Sequence, residues 1–284
     1  MVVPDGATDF SPRDKVNNEK VWLTKLLAGR DIKDILVYVH GYDMDRQNTL
    51  LRHNVLKKGL KENGWKGELV TFAWPSGTHP LLYWEDGFDA LDIAAELVKK
   101  GIKFIVDQTN AGCKINVHLI AHSTGALIVR ESFDYIKRTQ NVGFNDWAAS
   151  QIIFIAGDVS SKSMEGTMSD QLYRHCARLT NYFSNYDSIL AISNAKRLGF
   201  ENRVGRVGLP QSSPEKSIDI NCSDYYDANK DKLNVVQAFK PHSWYFWSDK
   251  FLQDLVYTLK GELDRNVIPT REKRADGEFY LKIN

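Results

Sequence analysis

The stretch that most constrains the fold of this chain is residues 115–130, INVHLIAHSTGALIVR. Its first half is an apolar run rich in β-branched residues, which predicts a buried strand, and its second half has the spacing of an amphipathic helix. Between the two halves lies the pentapeptide AHSTG, residues 121–125. A strand that enters a helix through small-x-Ser-x-Gly is typical of a nucleophile elbow, a turn so tight that large side chains at its ends would collide. We therefore predict that Ser123 is a nucleophile.

The pentapeptide alone does not decide this, because Ser123 or Thr124 could instead cap the helix without any chemical role. If the turn is an elbow, the amide of Thr124 at the start of the helix would bind the oxygen that becomes negative during acyl transfer. The rest of the chain must then supply a second oxyanion donor, a base and an acid.

The second oxyanion donor is predicted in the loop after residues 34–39, which form another continuous apolar run. Such a run favours a strand of a parallel sheet that is covered on both faces. We expect Tyr42 to provide the second amide and Gly41 to let the backbone approach a substrate. His40 is expected to pack at the strand end and shape the loop. The alternative for this segment is a plain turn that ends the strand.

The base is predicted from chain order. Of the seven histidines, His242 follows both the nucleophile and a candidate acid, which suits a residue that takes the Ser123 proton and returns it to the leaving group. Asp187, after an apolar run at 177–183, is the preferred acid to orient that imidazole. Asp158, which follows the apolar run at 151–157, is the alternative acid.

Residues 77–87 carry more apolar surface than a loop needs, at Leu81, Leu82 and Trp84. These side chains are candidates for an acyl pocket or a small lid. The alternative is a loop that simply packs onto the body of the domain. His40, Gly41 and His122 are further candidates for the substrate pocket, because they belong to the two turns that carry the predicted chemistry.

Strand-like and helix-like segments alternate from residue 35 to residue 259, which predicts a mostly parallel central sheet with helices on both faces. We expect one domain over 1–284, with a core at about 34–261 and an irregular arm at 1–17. Residues 262–284 are polar and are predicted to form a C-terminal tail, in which the basic stretch 271–274 is solvated.

Composition excludes several classes of function. Lys and Arg number 37 against 36 Asp and Glu, and this balance argues against nucleic-acid binding. The three cysteines are widely spaced and no ligand cluster is visible, so neither a metal nor another cofactor is expected. No apolar run is long enough for a transmembrane segment. The absence of a visible signal peptide favours a soluble, cytoplasmic protein by default, and the oligomeric state stays open.

Five ordered motifs add a family resemblance. The chain resembles the α/β-hydrolase superfamily over about residues 34–261, and within it a bacterial branch of hydrolases of unknown function. The resemblance implies the α/β-hydrolase fold, with Asp187 as acid and His242 as base. The chain departs from many hydrolases in having Ala121 where they have Gly. The matching motifs are VHGY at 39–42, FAWPSG at 72–77, AHSTG at 121–125, NYDS at 185–188 with RVG at 206–208, and HSWY at 242–245.

These expectations combine into a serine hydrolase that cleaves a small carboxylic ester through an acyl-enzyme intermediate. A lipase, a thioesterase or a peptidase with the same triad remains an alternative, because the sequence does not identify the substrate. An inactive hydrolase fold that serves as a binding module is the alternative from another class, since fold alone does not settle function.

Overall fold

A computed structural model of the chain describes residues 18–27, 34–42, 44–76, 87–102, 115–139, 148–196, 201–233 and 240–284, together with residues 7, 9, 105 and 235. The predicted pocket residues Leu81, Leu82 and Trp84 lie outside the described residues.

The described residues form one sheet of eight strands in the order β2-β1-β3-β4-β5-β6-β8-β7. All neighbouring strands are parallel except β7 and β8, which are antiparallel. The strands are β1 Asp34–Val39, β2 Glu68–Phe72, β3 Asn116–His122, β4 Ala149–Ile155, β5 Cys176–Phe183, β6 Ser217–Asn221, β7 Arg271–Lys273 and β8 Phe279–Leu281.

Helices connect most of these strands. They are α1 Glu19–Leu27, α2 Arg46–Glu62, α3 Gly87–Glu96, α4 Thr124–Thr139, α5 Asp170–Arg174, α6 Ser188–Lys196, α7 Val204–Val207, α8 Ser223–Asn229, α9 Lys240–Ser243 and α10 Asp249–Lys260. Single turns of other helix types are π-helical Leu97–Ile102, 3₁₀ Lys162–Met164 and 3₁₀ Trp244–Trp247. No helix in the described ranges has the length and apolar character needed to cross a bilayer.

Both faces of the sheet are buried, as the continuous apolar runs predict. Along β1, Ile35 and Val37 pack into one apolar cluster, while Leu36 and Tyr38 pack into a second cluster on the opposite face. This alternation follows from the two-residue period of a strand. The predicted architecture, a mostly parallel sheet covered by helices on both sides, is confirmed.

Two helices begin where their capping residues predict. Asp45 accepts a hydrogen bond from the amide of Asn48 at 2.7 Å and starts α2. Ser248 accepts one from the amide of Phe251 at 3.2 Å and starts α10, which Gly261 ends with a φ of +60°. These side-chain oxygens satisfy amides that have no partner within the helix.

The prediction that residues 262–284 form a polar tail is wrong. Residues in 262–284 contribute β7 and β8, and β8 pairs in parallel with β6. Arg271, predicted to be solvated, is only 4% exposed and its Nη2 lies 2.7 Å from Oδ1 of Asp254. A buried guanidinium is stable only when it is paired, and this carboxylate of α10 supplies the pairing.

Three local features position neighbouring segments. The α-helix α3 ends at Glu96 and continues as the π-helical turn Leu97–Ile102. The segment between α6 and β6 contains the short helix α7, and His242 lies in the short helix α9.

Candidate active site

Ser123 occupies the turn between β3 and α4, as the sequence predicts. Its φ is +56°, a left-handed conformation that is uncommon for residues other than glycine. The Ser123 amide donates to the carbonyl oxygen of Ile155 at 3.1 Å, and the Ser123 carbonyl oxygen accepts from the amides of Ala126 and Asp158 at 3.0 and 2.9 Å. These backbone bonds to β4 and the segment after it hold the strained residue in place.

Gly125 explains why the turn requires a small residue. A Cβ at this position would lie 2.3 Å from the carbonyl oxygen of Val39 and 2.7 Å from that of His40. Both distances are far inside van der Waals contact. The start of α4 therefore lies directly against the end of β1.

The loop after β1 packs on Ser123. A Cβ added to Gly41 would lie 2.9 Å from Cβ of Ser123 and 3.2 Å from the carbonyl oxygen of His122. Only a glycine backbone can come this close without displacement. The loop that carries Tyr42 is therefore adjacent to the elbow that carries Thr124.

His40 holds this loop in shape. Its Nε2 accepts a hydrogen bond from the amide of Trp74 at 3.1 Å, and its Nδ1 donates to the carbonyl oxygen of Gly41 at 2.8 Å. The Trp74 indole donates back to the His40 carbonyl oxygen at 2.9 Å, and the two rings stack with centroids 5.4 Å apart. Burial lowers the pKa of His40 to about 4, so its imidazole is neutral at pH 7.

The structure brings together the preferred acid and base. Nδ1 of His242 lies 2.7 Å from Oδ2 of Asp187, and both side chains are buried. Oδ1 of Asp187 accepts a second hydrogen bond from the amide of Leu190 at 3.0 Å, in the first turn of α6. An ionised carboxylate only accepts hydrogen bonds, so the Nδ1 proton points at Asp187 and leaves Nε2 as the acceptor.

His122 connects His242 to the elbow, a contact that the sequence reasoning missed. Its Nε2 donates to the backbone carbonyl oxygen of His242 at 3.0 Å, and the two rings lie 4.7 Å apart. Burial, together with the neighbouring His242, lowers the pKa of His122 well below its ordinary value. A neutral His122 therefore lies beside His242, one residue before Ser123.

Asp158, the alternative acid, has a different partner. Its Oδ1 lies 3.3 Å from Nε of Arg203, and both side chains are buried. Arg203 precedes α7, so this ion pair joins the end of β4 to the segment that leads into α7. The two candidate acids therefore have different partners: Asp187 is hydrogen-bonded to His242, and Asp158 is paired with Arg203.

Comparison with known families shows which family the chain belongs to. Residues 15–224 match the family model described as "Alpha/beta hydrolase of unknown function (DUF900)". The chain belongs to this family. The matched range contains Ser123 and Asp187 and ends before His242. No functionally curated protein matches the chain.

Solved structures similar to this α/β hydrolase are remote. Aspergillus fumigatus lipase B is 13% identical, with a TM-score of 0.46 over 84% of this chain and 57% of the lipase. The hyperthermophilic esterase from the archaeon Pyrobaculum calidifontis is 11% identical, with a TM-score of 0.42 over 82% of this chain and 78% of the esterase. MenH from S. aureus is 11% identical, with a TM-score of 0.40 over 84% and 97%. Likenesses this remote carry no argument about substrate.

Proposed function

We propose that this α/β hydrolase is a serine hydrolase that cleaves small carboxylic esters. The observation that supports the proposal best is the 2.7 Å bond between His242 and Asp187, next to an elbow that holds Ser123 at a φ of +56°. Strained residues and pre-oriented imidazoles persist where the surrounding structure enforces them, and such features cluster at active sites.

In the proposed reaction, Oγ of Ser123 attacks the ester carbonyl carbon while Nε2 of His242 takes the Oγ proton. Asp187 keeps the imidazole in the tautomer with its proton on Nδ1 and stabilises the imidazolium. The amides of Tyr42 and Thr124 bind the negative oxygen of the tetrahedral intermediate.

His242 then returns its proton to the leaving alcohol, which departs and leaves an acyl group on Ser123. A water molecule, deprotonated by the same imidazole, attacks the acyl carbon. The bond between the acyl carbon and Oγ of Ser123 then breaks, His242 returns the proton to Oγ, and the carboxylic acid is released. Leu81, Leu82 and Trp84 remain candidates for the substrate pocket, as do His40, Gly41 and His122.

A fluorophosphonate probe tests the nucleophile. We expect covalent labelling of wild type at Ser123 and none in Ser123→Ala. Ser132→Ala is the matched control, because Ser132 is a buried serine of α4 whose hydroxyl bonds to the carbonyl oxygen of Ile128. Undiminished labelling of Ser123→Ala would refute the proposal, and no labelling of folded wild type would favour the inactive binding module.

A panel of substrates tests whether the protein prefers esters to other acyl compounds. Short and long acyl p-nitrophenyl esters, an acyl thioester and a peptide anilide are compared at equal enzyme concentration. We expect a higher kcat/KM for the esters than for the thioester or the anilide. A preference for long acyl chains would instead indicate a lipase, and preferences for the thioester or the anilide would indicate a thioesterase or a peptidase.

A further inference from the structure

A cleft lies near the amino ends of β4 and β5, at the end of the sheet opposite the candidate active site. Gln151 is the third residue of β4 and Arg178 the third residue of β5, and the two are register partners. Both line a space of about 210 Å³, part of which is open to solvent, and Thr180 of β5 lines it too. Ser123 and Asp187 follow the carboxyl ends of their strands, so this cleft is separate from them.

The far wall of the cleft comes from the segment that follows β6 in the chain. Tyr257 of α10 lines it, as do Leu263 and Arg265 beyond the end of that helix. The cleft therefore exists because the C-terminal residues fold back along the sheet and do not extend into solvent as a tail.

Two arginines in this cleft have no acidic partner among the described residues. Arg178 forms no ion pair there. Nη2 of Arg265 donates to the backbone carbonyl oxygen of Glu215, while Nη1 is buried and has no hydrogen-bond partner in the described ranges. A buried guanidinium nitrogen with no acceptor is costly, because its lost hydration is not replaced.

Charges of both signs act on Arg265, and the positive charge of Arg178 is the largest of them. Burial, and then the positive charge of Arg178, lower its pKa, and Arg271 acts in the same direction. Asp264 and Glu215 lie within electrostatic reach and oppose this effect, but neither carboxylate is hydrogen-bonded to Arg265. An anion between the two guanidinium groups would relieve the repulsion.

Gln151 adds a hydrogen-bond acceptor. Its side chain is 5% exposed, and its Oε1 is buried without a hydrogen-bond partner in the described part of the chain. An acceptor beside two cations fits an oxyanion that still carries a proton, because that proton can be donated to Oε1. Hydrogen phosphate carries such a proton near neutral pH, and a phosphomonoester carries one in its monoanionic form, whereas sulfate carries none.

We propose that this cleft, formed by Gln151, Arg178, Thr180, Tyr257 and Arg265, is a binding site for a phosphate group. The guanidinium groups of Arg178 and Arg265 bind the anionic oxygens, and Oε1 of Gln151 accepts the phosphate proton. The site is independent of the proposed ester hydrolysis, because it lies near the amino ends of the strands and the proposed catalytic residues follow their carboxyl ends.

Calorimetric titration of the full chain with inorganic phosphate, at constant ionic strength, tests the proposal. We expect saturable binding that weakens by at least about tenfold in Arg178→Gln and in Arg265→Gln, since each change removes charge-assisted hydrogen bonds. Arg174→Gln is the matched control, because Arg174 is exposed and does not line the cleft. It is expected to bind phosphate like wild type.

Arg265→Lys keeps the positive charge and distinguishes a lost contact from a misfolded variant; it is expected to bind phosphate more tightly than Arg265→Gln. Sulfate is expected to bind wild type at least about tenfold more weakly than phosphate. Glycerol 3-phosphate separates the sources, since tighter binding than inorganic phosphate indicates a phosphomonoester and weaker binding indicates free phosphate. Absence of saturable phosphate binding by wild type, or equal binding of sulfate and phosphate, would overturn the proposal.

Discussion

The imidazole of His122 donates from Nε2 to the backbone carbonyl oxygen of His242 at a distance of 3.0 Å. This bond joins the end of β3, which carries the proposed nucleophile, to α9, which carries the proposed base. Since Asp187 fixes the other side of His242, the imidazole is oriented both through its ring and through its backbone.

His122 is therefore predicted to position the base. His122→Ala is expected to lower kcat by about 10- to 100-fold with little change in KM, because small displacements of a catalytic group are costly. His122→Gln keeps a side-chain donor and is expected to recover part of kcat. Steady-state kinetics on a short ester measures both. His53→Ala is the control, since that part-buried imidazole of α2 bonds to Thr71, and an equal loss of kcat in the control would contradict the positioning role.

Substitution of the two candidate acids is predicted to have different effects, on kcat for Asp187 and on stability for Asp158. Asp187→Asn is expected to lower kcat by about 10⁴-fold, because an amide stabilises neither the correct tautomer nor the imidazolium. Asp158→Asn breaks a buried ion pair with Arg203 and is expected to lower the free energy of unfolding by about 3–5 kcal/mol. Its folded fraction is expected to keep a kcat close to wild type. Urea unfolding and ester kinetics on both variants check this, and a reversal of the two kinetic effects would make Asp158 the acid.

Gly41→Ala tests the close approach of the loop to Ser123. The added methyl would lie 2.9 Å from Cβ of Ser123 and is expected to lower kcat/KM by about 100-fold as the loop shifts. Gly277→Ala is the matched control, because Gly277 has a φ of +87° and no atom of the described residues lies within 4 Å of its added Cβ. The control is expected to cost about 1–2 kcal/mol of stability and no activity. If Gly41→Ala had the same kcat/KM as wild type, the loop after β1 would not be part of the oxyanion site.

Acidification is predicted to destabilise the protein through His40. Its folded pKa is about 4, below its ordinary value of 6.5, so the unfolded chain binds the proton more readily between these pH values. Stability from His40 is therefore fully present above about pH 6.5 and is lost as the pH falls towards 4.

His40→Gln isolates this contribution. Burial raises the pKa of Asp219 to about 6, which acts with the opposite sign, since stability from a protonated Asp219 is lost as the pH rises through 6. That effect is common to both proteins and cancels in their difference. Urea unfolding from pH 4.5 to 7.5 is expected to show wild type losing stability relative to His40→Gln on acidification. A pH-independent difference would contradict a buried neutral His40.

Two arginines of the C-terminal strands are predicted to contribute very differently to stability. Arg271→Gln leaves the buried carboxylate of Asp254 without its cation and is expected to cost about 3–5 kcal/mol. Arg274→Gln removes a partly exposed pair with Asp224 and is expected to cost at most about 1 kcal/mol. Thermal or urea unfolding measures both, and equal costs would mean that Arg271 does not anchor the end of the sheet.

Much of the fold could be predicted because its signals are local. The apolar runs before Gly41 and before Ser123 are continuous, and such runs indicate strands covered on both faces. Ser248 and Gly261 bound α10 as their capping preferences indicate. The preference for Asp187 over Asp158 relied on chain order, and the His242 contact agrees with it. The catalytic roles themselves remain predictions.

What the sequence reasoning missed depends on contacts between distant residues. Arg271 lies in a polar stretch, and nothing next to it indicates that Asp254, a buried residue of a helix, will be its partner. Strand β8 has only three residues, too few for a two-residue alternation to be recognised. The bond between His122 and His242 joins positions 120 residues apart.

The position of β8 has a consequence for biosynthesis. Among the described strands, β6 (Ser217–Asn221) has β5 on one side and β8, from residues 279–281, on the other. During translation β6 therefore presents unpaired amide and carbonyl groups to solvent or to a chaperone until almost sixty later residues have been added. Prematurely terminated chains that end after residue 221 are expected to associate through this open edge and to be cleared by proteolysis.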